Sequence, residues 1–183
     1  MTSVFKSQIP AMEKSDFLVM FEPVGATAQP IVITQNEFMR RMKDMAAIQS
    51  GMAFYGELPD SYNLIVNTDH PLSQKVIADT ESACKSELTP ILDELKTVNE
   101  EIERLQEAKK DKKDDEIPVA DKEALKHAEE KAKELRAKES DILKTYADRT
   151  PLVRQLVDLA LLSNNMLKGE ALSKFIKRSV EML

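Results

Sequence analysis

Two apolar seams constrain the fold of this chain more than any other feature. In each seam, residues recur at alternating steps of three and four, the spacing of one stripe on a coiled-coil helix. The first seam comprises Leu88, Ile91, Leu95, Val98, Ile102 and Leu105. The second comprises Leu125, Ala128, Ala132, Leu135, Glu139, Ile142 and Tyr146. A charged segment over 110–121 lies between them, so the pattern predicts an antiparallel helical hairpin.

Charge along this hairpin is dense but mixed in sign. Residues 100–149 contain 16 acidic and 13 basic side chains. Because the two signs are interspersed at helical spacing, they favour a solvated helix surface over an anion-binding one. The whole chain carries a net charge of −6 and has no basic stripe of the kind that binds phosphate backbones. We therefore expect no nucleic-acid partner.

Composition also bounds the chemistry and the location. The chain has only 4 glycines, which argues against a Gly-rich phosphate-binding loop. Its single cysteine, Cys84, has no partner for an internal disulfide, and we interpret it as a small helix residue. Every apolar run is shorter than the roughly 20 residues that span a bilayer. We expect a cytoplasmic protein with no membrane partner.

The first third of the sequence predicts a small sheet. Short apolar runs over 17–21, 30–34 and 62–67 have the length and composition of strands. Gly25 lies between the first two runs, so these two strands could pair as a hairpin with a long loop. A sheet of three strands must cover one face with helices.

A methionine-rich helix is predicted between the second and third strands, over 35–48. Phe38, Met42 and Met45 fall at i, i+4 and i+7, which places them on one stripe. Thr34 or Asn36 could cap this helix, and it is expected to end at Ser50-Gly51. The residues that could extend its apolar surface are Met39, Met52, Phe54 and Tyr55.

Proline positions mark the starts of further helices. Proline fits the first turn of a helix but not its interior, so Thr89-Pro90 predicts a restart after a helix over 73–87. Thr150-Pro151 predicts another start, and residues 152–162 are apolar around most of that helix. A last amphipathic helix follows over 170–183. Because a chain of this size rarely surrounds an apolar helix alone, this pair predicts a four-helix bundle made by two copies.

The expected fold class is therefore α+β, with a small three-stranded sheet, an inserted antiparallel coiled-coil hairpin, and a C-terminal helix pair that forms a four-helix-bundle dimer. We assign 1–81 and 150–183 to one domain and 82–149 to the inserted hairpin.

Three stretches in this order resemble the C-terminal domain of heat-shock protein 90, in its bacterial type. Residues 33–43 are similar to the strand and Met-rich helix of that family, and residues 156–162 are similar to its closing helices. Residues 62–72 are the most specific stretch, because Asn67, His70 and Pro71 recur together after an apolar strand. The hairpin has no counterpart in the best-known members, so no function carries over to it.

The resemblance implies a dimerisation domain of an ATP-dependent chaperone, expected to be a homodimer that binds unfolded or partly folded client proteins in protein folding and the stress response. It implies that ATP and Mg²⁺ bind elsewhere in a longer protein, so we expect no cofactor, metal or catalytic residue in this chain. The residues expected to bind clients are Phe38, Met42 and Met45. The residues expected at the dimer interface are Leu156, Leu159, Leu162, Leu172, Phe175, Ile176 and Val180.

Three alternatives stay open at this point. The Met-rich helix could pack on the sheet instead of binding clients. The hairpin could make the chain a coiled-coil scaffold or adaptor that binds a protein partner. An enzyme domain would need a convergent polar cluster, and the two histidines, His70 in a turn and His127 on a charged helix, lack ligand-type neighbours at metal-binding spacing.

Overall fold

The computed structural model describes residues 1–35, 37–48, 58–110 and 118–181. These residues form three strands and six helices. In chain order they are α1 (Thr2–Lys6), β1 (Ser15–Glu22), β2 (Ile31–Gln35), α2 (Glu37–Ile48), β3 (Asp60–Asn67), α3 (Pro71–Glu107), α4 (Val119–Asp148), α5 (Pro151–Ser163) and α6 (Gly169–Glu181). The α+β class and the three-stranded sheet predicted from the sequence are confirmed.

The strand order of the sheet is β1-β3-β2. β1 runs parallel to β3, with Phe17 opposite Tyr62, and β2 runs antiparallel to β3, with Ile31 opposite Val66. The predicted hairpin between the first two strands is therefore wrong. β3 contains the fully buried Leu64 and Val66, and it takes the central position, where a strand has neighbours on both sides.

The core of the sheet lies on one face. Side chains of β1, β2 and β3 alternate between this face and the opposite one. The buried strand residues are Phe17, Val19, Ile31, Ile33, Leu64 and Val66. Helix α5 packs on β2 and on α1. Its buried apolar residues are Val153, Leu156, Val157, Ala160 and Leu161.

Helix α1 was not predicted from the sequence. It has only five residues, too few to display a helical repeat, yet Val4 and Phe5 are fully buried. The ring of Phe5 meets the ring of Phe21 edge to face, with centroids 5.8 Å apart. A segment this short is helical because tertiary packing holds it, since isolated short helices are marginal in water.

Contacts divide the chain into two units. The first unit comprises Met1–Thr80 and Tyr146–Leu183, and the second comprises Glu81–Thr145. In the second unit, helices α3 and α4 share one apolar cluster, made of Leu95, Val98, Ala128, Ala132 and Leu135, with Ile91 and Ile102 packed against it. All seven residues belong to the two predicted seams. The coiled-coil geometry and the assignment of 82–149 as an insertion stay predictions.

Helix α3 is continuous over 37 residues and contains Pro90. The predicted restart at Thr89-Pro90 is therefore wrong. Proline removes one backbone donor from a helix interior. The hydroxyl of Thr89 donates to the carbonyl of Lys85 at 2.7 Å, one turn earlier. The sequence alone does not separate a proline that starts a helix from one that is tolerated inside it.

The turn after β3 is built on Asn67, which is fully buried. Its amide nitrogen donates to the carbonyls of Gly25 and Gln29 at 2.8 and 3.1 Å. Its amide oxygen accepts from the backbone nitrogens of Val24 and Asp69 at 3.0 and 3.1 Å. One side chain thus joins the loop after β1 to the turn after β3.

The predicted helix starts and capping residues agree with the structure in part. His70 accepts a hydrogen bond from the backbone nitrogen of Leu72 through Nδ1 at 3.1 Å, so it caps α3 just before Pro71. Pro151 occupies the first turn of α5, as predicted, but Thr150 makes no side-chain capping bond. The predicted cap Asn36 and the residues Ser50, Gly51, Met52, Phe54, Tyr55 and Leu183 lie outside the described residues.

Candidate functional site

Helices α5 and α6 are joined by a polar network around Asp158. This carboxylate is 1% exposed, although it is charged. Arg178 of α6 donates to Asp158 Oδ2 at 2.5 Å, and Arg154 donates to the same oxygen at 3.2 Å. Gln155 extends the network: it accepts from Arg178 Nε at 3.0 Å and donates to the hydroxyl of Ser179 at 2.6 Å. The two helices are therefore tied through polar side chains as well as apolar ones.

The sequence did not single out this network. The side chain of Arg178, on the last amphipathic helix, is only 20% exposed and reaches Asp158 of α5. The available signal was an acidic residue, Asp158, in a helix that is apolar around most of its circumference. Because a buried charge needs a partner, an acidic residue at position 158 predicts a basic residue close to it in the fold.

The residues predicted at the dimer interface divide into three groups by exposure in the single chain. Leu156 and Phe175 are buried, at 3% and 9%. Leu159, Ile176 and Val180 are exposed, at 45%, 54% and 67%. Leu162 and Leu172 are half-buried. The chain therefore covers part of the predicted interface by itself and leaves an apolar part open.

The open part on α6 forms a stripe. Leu172, Ile176 and Val180 recur every four residues and so lie along one side of the helix. Phe175, Arg178 and Ser179 lie on the neighbouring side: Phe175 is buried, and Arg178 and Ser179 form hydrogen bonds with side chains of α5. We call Leu172, Ile176 and Val180, together with Leu159 of α5, the terminal apolar face.

Helix α2 presents a second apolar surface. Phe38 is 66% exposed and Met45 is 42% exposed, whereas Met42 is half-buried. The ammonium of Lys43 lies 2.6 Å from Asp60 Oδ1 at the start of β3, and α2 contacts β3. One side of α2 therefore meets the sheet and another displays apolar side chains, and client binding by this helix stays a prediction.

The polar side of α2 is held by ion pairs. Glu37 accepts hydrogen bonds from Arg40 and Arg41 at 2.8–3.0 Å. These bonds stabilise the ionised form and lower the pKa of Glu37 from 4.5 to about 2. Arg40 also donates to Asp44 at 3.0 Å. The negative charge of Glu37 in the first turn suits the positive end of the helix dipole.

The single cysteine of the chain occupies a buried position. Cys84 is buried within α3, and burial, followed by the nearby charge of Glu87, raises the pKa of its thiol. The thiol therefore stays protonated and unreactive near neutral pH. Over the described ranges, no three His, Cys, Asp or Glu residues come together in a way that could hold a metal ion. Within the same ranges, no helix is both long enough and apolar enough to cross a membrane.

The three-stranded sheet and its helices place this chain in the class of α+β domains, and helices α2, α5 and α6 expose apolar side chains. Along its full length it is 48% identical to chaperone protein HtpG of Bacteroides thetaiotaomicron and 48% identical to that of Bacteroides fragilis. It is 45% identical to chaperone protein HtpG of Porphyromonas gingivalis. The chain corresponds to the C-terminal region of HtpG, the bacterial type of heat-shock protein 90, as the resemblance implied.

The chain spans 27% of the length of these relatives. All of it is matched, including the helical hairpin, which is thus shared with the relatives from Bacteroides and Porphyromonas. No family model matches the chain. No solved structure matches it either.

Proposed function

We propose that this chain is the dimerisation domain of a cytoplasmic HtpG-type chaperone, and that it contributes to binding of unfolded proteins. In the whole protein, ATP binding and hydrolysis with Mg²⁺ would take place in other domains. A permanent link between two copies raises the effective concentration of those domains for each other. The domain itself contributes no catalytic group in this proposal.

The terminal apolar face is the single observation that carries the dimer proposal. Ile176 and Val180 expose more than half of their surface on the last described helix, and Leu159 of α5 is 45% exposed. Large apolar side chains exposed on neighbouring helices of a soluble protein often mark an interaction site. Leu156 and Phe175 are buried in the single chain and so are not themselves available to a second copy.

A second copy is the partner that fits best. A twofold interface is self-complementary, so two identical apolar stripes can pack against each other as a four-helix arrangement. Interfaces of permanent dimers bury about 2,000 Å² or more, which would require both α5 and α6 to take part. Leu162 and Leu172, half-buried in the single chain, would become buried at the edge of such an interface.

The substitution Val180→Glu tests the dimer proposal. A carboxylate within an apolar interface is expected to weaken dimerisation by at least about thirtyfold, as for an interface hot spot. Sedimentation equilibrium measures the dissociation constant. Val119→Glu is the matched control, because Val119 is 71% exposed but lies on α4 in the other unit. Equal dissociation constants for both variants, or a monomeric parent chain, would reject the proposal.

Client binding is proposed for the exposed side of α2. Methionine side chains are flexible and polarizable, and such surfaces accommodate varied apolar partners. Phe38 and Met45 supply exposed surface, and Met42 lies between them at helical spacing. The ion pairs of Glu37 and Lys43 hold the helix without using these apolar side chains.

The double substitution Phe38→Ser and Met45→Ser tests client binding. We expect at least about tenfold weaker binding of a reduced, permanently unfolded protein, because two apolar anchors are removed. Fluorescence anisotropy of the labelled client gives the affinity. Leu92→Ser serves as the control, since Leu92 is 47% exposed on α3 in the second unit. Unchanged affinity in the α2 variant with normal folding would contradict the proposal.

An adaptor function of the hairpin is a second candidate. The second unit has its own apolar cluster and a groove of about 620 Å³. Acidic side chains Glu94, Glu101 and Glu123 line this groove together with Lys131, whose ammonium lies 2.7 Å from Glu94 Oε1. Such a groove would favour a basic helix as its partner.

A further inference from the structure

Among the described residues, Asp158 is the buried side chain that carries a charge, and its environment is unusual. Both arginines that contact it, Arg154 and Arg178, donate to Oδ2. The other oxygen, Oδ1, is buried and has no hydrogen-bond partner among the described residues. A buried acceptor left without a donor is destabilising.

The network restricts the rotation of α6 about its own axis. Arg178 reaches Asp158 and Gln155, while the adjacent Ser179 bonds with Gln155. Asp158 and Gln155 lie one turn apart on α5, so α6 is held at two levels. A rotation of α6 by one residue, about 100°, would break all three contacts. Apolar packing through Phe175 alone is not directional in this way.

This restriction decides which side of α6 faces outward. Arg178 lies two residues from both Ile176 and Val180, and such residues lie on roughly opposite sides of a helix. Because Arg178 is turned towards α5, Ile176 and Val180 are turned away from α5. Their exposures of 54% and 67%, against 20% for the Arg178 side chain, agree with this orientation.

We propose that Asp158 and Arg178 are positioning residues for self-association: the pair fixes the rotation of α6 so that the terminal apolar face meets a second copy in one register. This inference rests on the proposed dimer function and adds the residues that determine its geometry. Replacing a buried ion pair by apolar residues is often neutral for stability, whereas polar pairs can select one packing among several. Replacing Asp158 and Arg178 by apolar residues should therefore leave the stability of the chain nearly unchanged but weaken its dimerisation.

Two variants of the full chain separate these effects. Arg178→Met alone leaves a buried carboxylate without its partner on α6, and the melting temperature is expected to fall by roughly 6 °C or more. Adding Asp158→Leu removes the buried carboxylate itself and is expected to return the melting temperature to within about 4 °C of the parent chain. In the double variant, dimerisation stays at least about tenfold weaker by sedimentation equilibrium.

The control is Glu170→Gln, which breaks an exposed ion pair with Lys174 on the same helix. It should change neither the melting temperature nor the dissociation constant of the dimer. A double variant that recovers both stability and parental dimer affinity would overturn the inference, since the pair would then be structural only. Weak association in a stable double variant supports it.

Failure of the dimer proposal itself gives a different result. If the parent chain is monomeric, amide hydrogen exchange of α6 becomes the readout. Exchange in the double variant at least about tenfold faster than in the parent, with an unchanged melting temperature, supports the positioning role of the pair. Equal protection of α6 in both chains overturns it.

Discussion

Asn67, at the end of β3, stabilises the loops around it through its buried side chain. Its side chain makes four hydrogen bonds with the backbone of residues 24, 25, 29 and 69. It thereby holds the loop that brings β2 back beside β3. The sequence pointed to this residue only through its recurrence with His70 and Pro71, and the structure gives the physical reason for that motif.

Asn67→Ala is expected to destabilise the chain by about 3 kcal/mol, because two backbone donors and two carbonyls lose their partner in a buried site. Denaturant unfolding measures the free energy. Asn63→Ala is the control on the same strand, since Asn63 is only half-buried, and it should cost less than about 1 kcal/mol. Equal losses in the two variants would show that the network around Asn67 is not the source of stability.

Helix α2 is anchored on one side and exposes apolar side chains on another. Its ion pairs and the contact between Lys43 and Asp60 anchor it, while Phe38 and Met45 remain exposed. The helical repeat in the sequence predicted the stripe but not which side met the sheet. That choice depends on β3, which is distant in sequence from the start of the helix.

The pairing within α2 predicts a pH dependence. The pKa of Glu37 in the folded chain, about 2, is below its ordinary value of 4.5, so its contribution to stability is present above pH 4.5. This contribution is lost as the pH falls from 4.5 towards 2. A carboxyl-carbon NMR titration should place the Glu37 midpoint near 2, and Arg40→Gln with Arg41→Gln should raise it towards 4.5. A parental midpoint near 4.5 would contradict the pairing.

At the scale of the whole chain, the two units differ in charge. Glu81–Thr145 holds 19 acidic and 14 basic residues, so it carries −5 of the total charge of −6. Its apolar cluster is built from its own residues. The sheet, α1, α5 and α6 belong to the other unit. Each unit thus has the separate core that an independently folding part requires.

Replacing Glu81–Thr145 by a short Gly-Ser linker is expected to leave the remaining unit folded and dimeric. Its core residues all lie outside the deleted segment, and a short loop closes at low entropic cost. Circular dichroism and sedimentation equilibrium report folding and association. If instead the shortened chain folds but no longer associates, the hairpin carries the interface and the adaptor interpretation is favoured.

The sequence alone determined the features that depend on local repeats: the three strands, the two seams that form one apolar cluster, and the amphipathic helices at the C-terminal end. These follow from side-chain periodicity, which is a property of each segment by itself. The family resemblance likewise depended on short stretches of local sequence, and the relatives confirm it.

Only the tertiary structure decided which strand lies in the centre, that α3 continues through Pro90, and that Arg178 reaches the buried Asp158. Each of these depends on contacts between residues far apart in the chain. A parallel pairing of β1 with β3, or a salt bridge between α5 and α6, forms only when packing brings the partners together. The repeat within a single segment carries no information about such a partner.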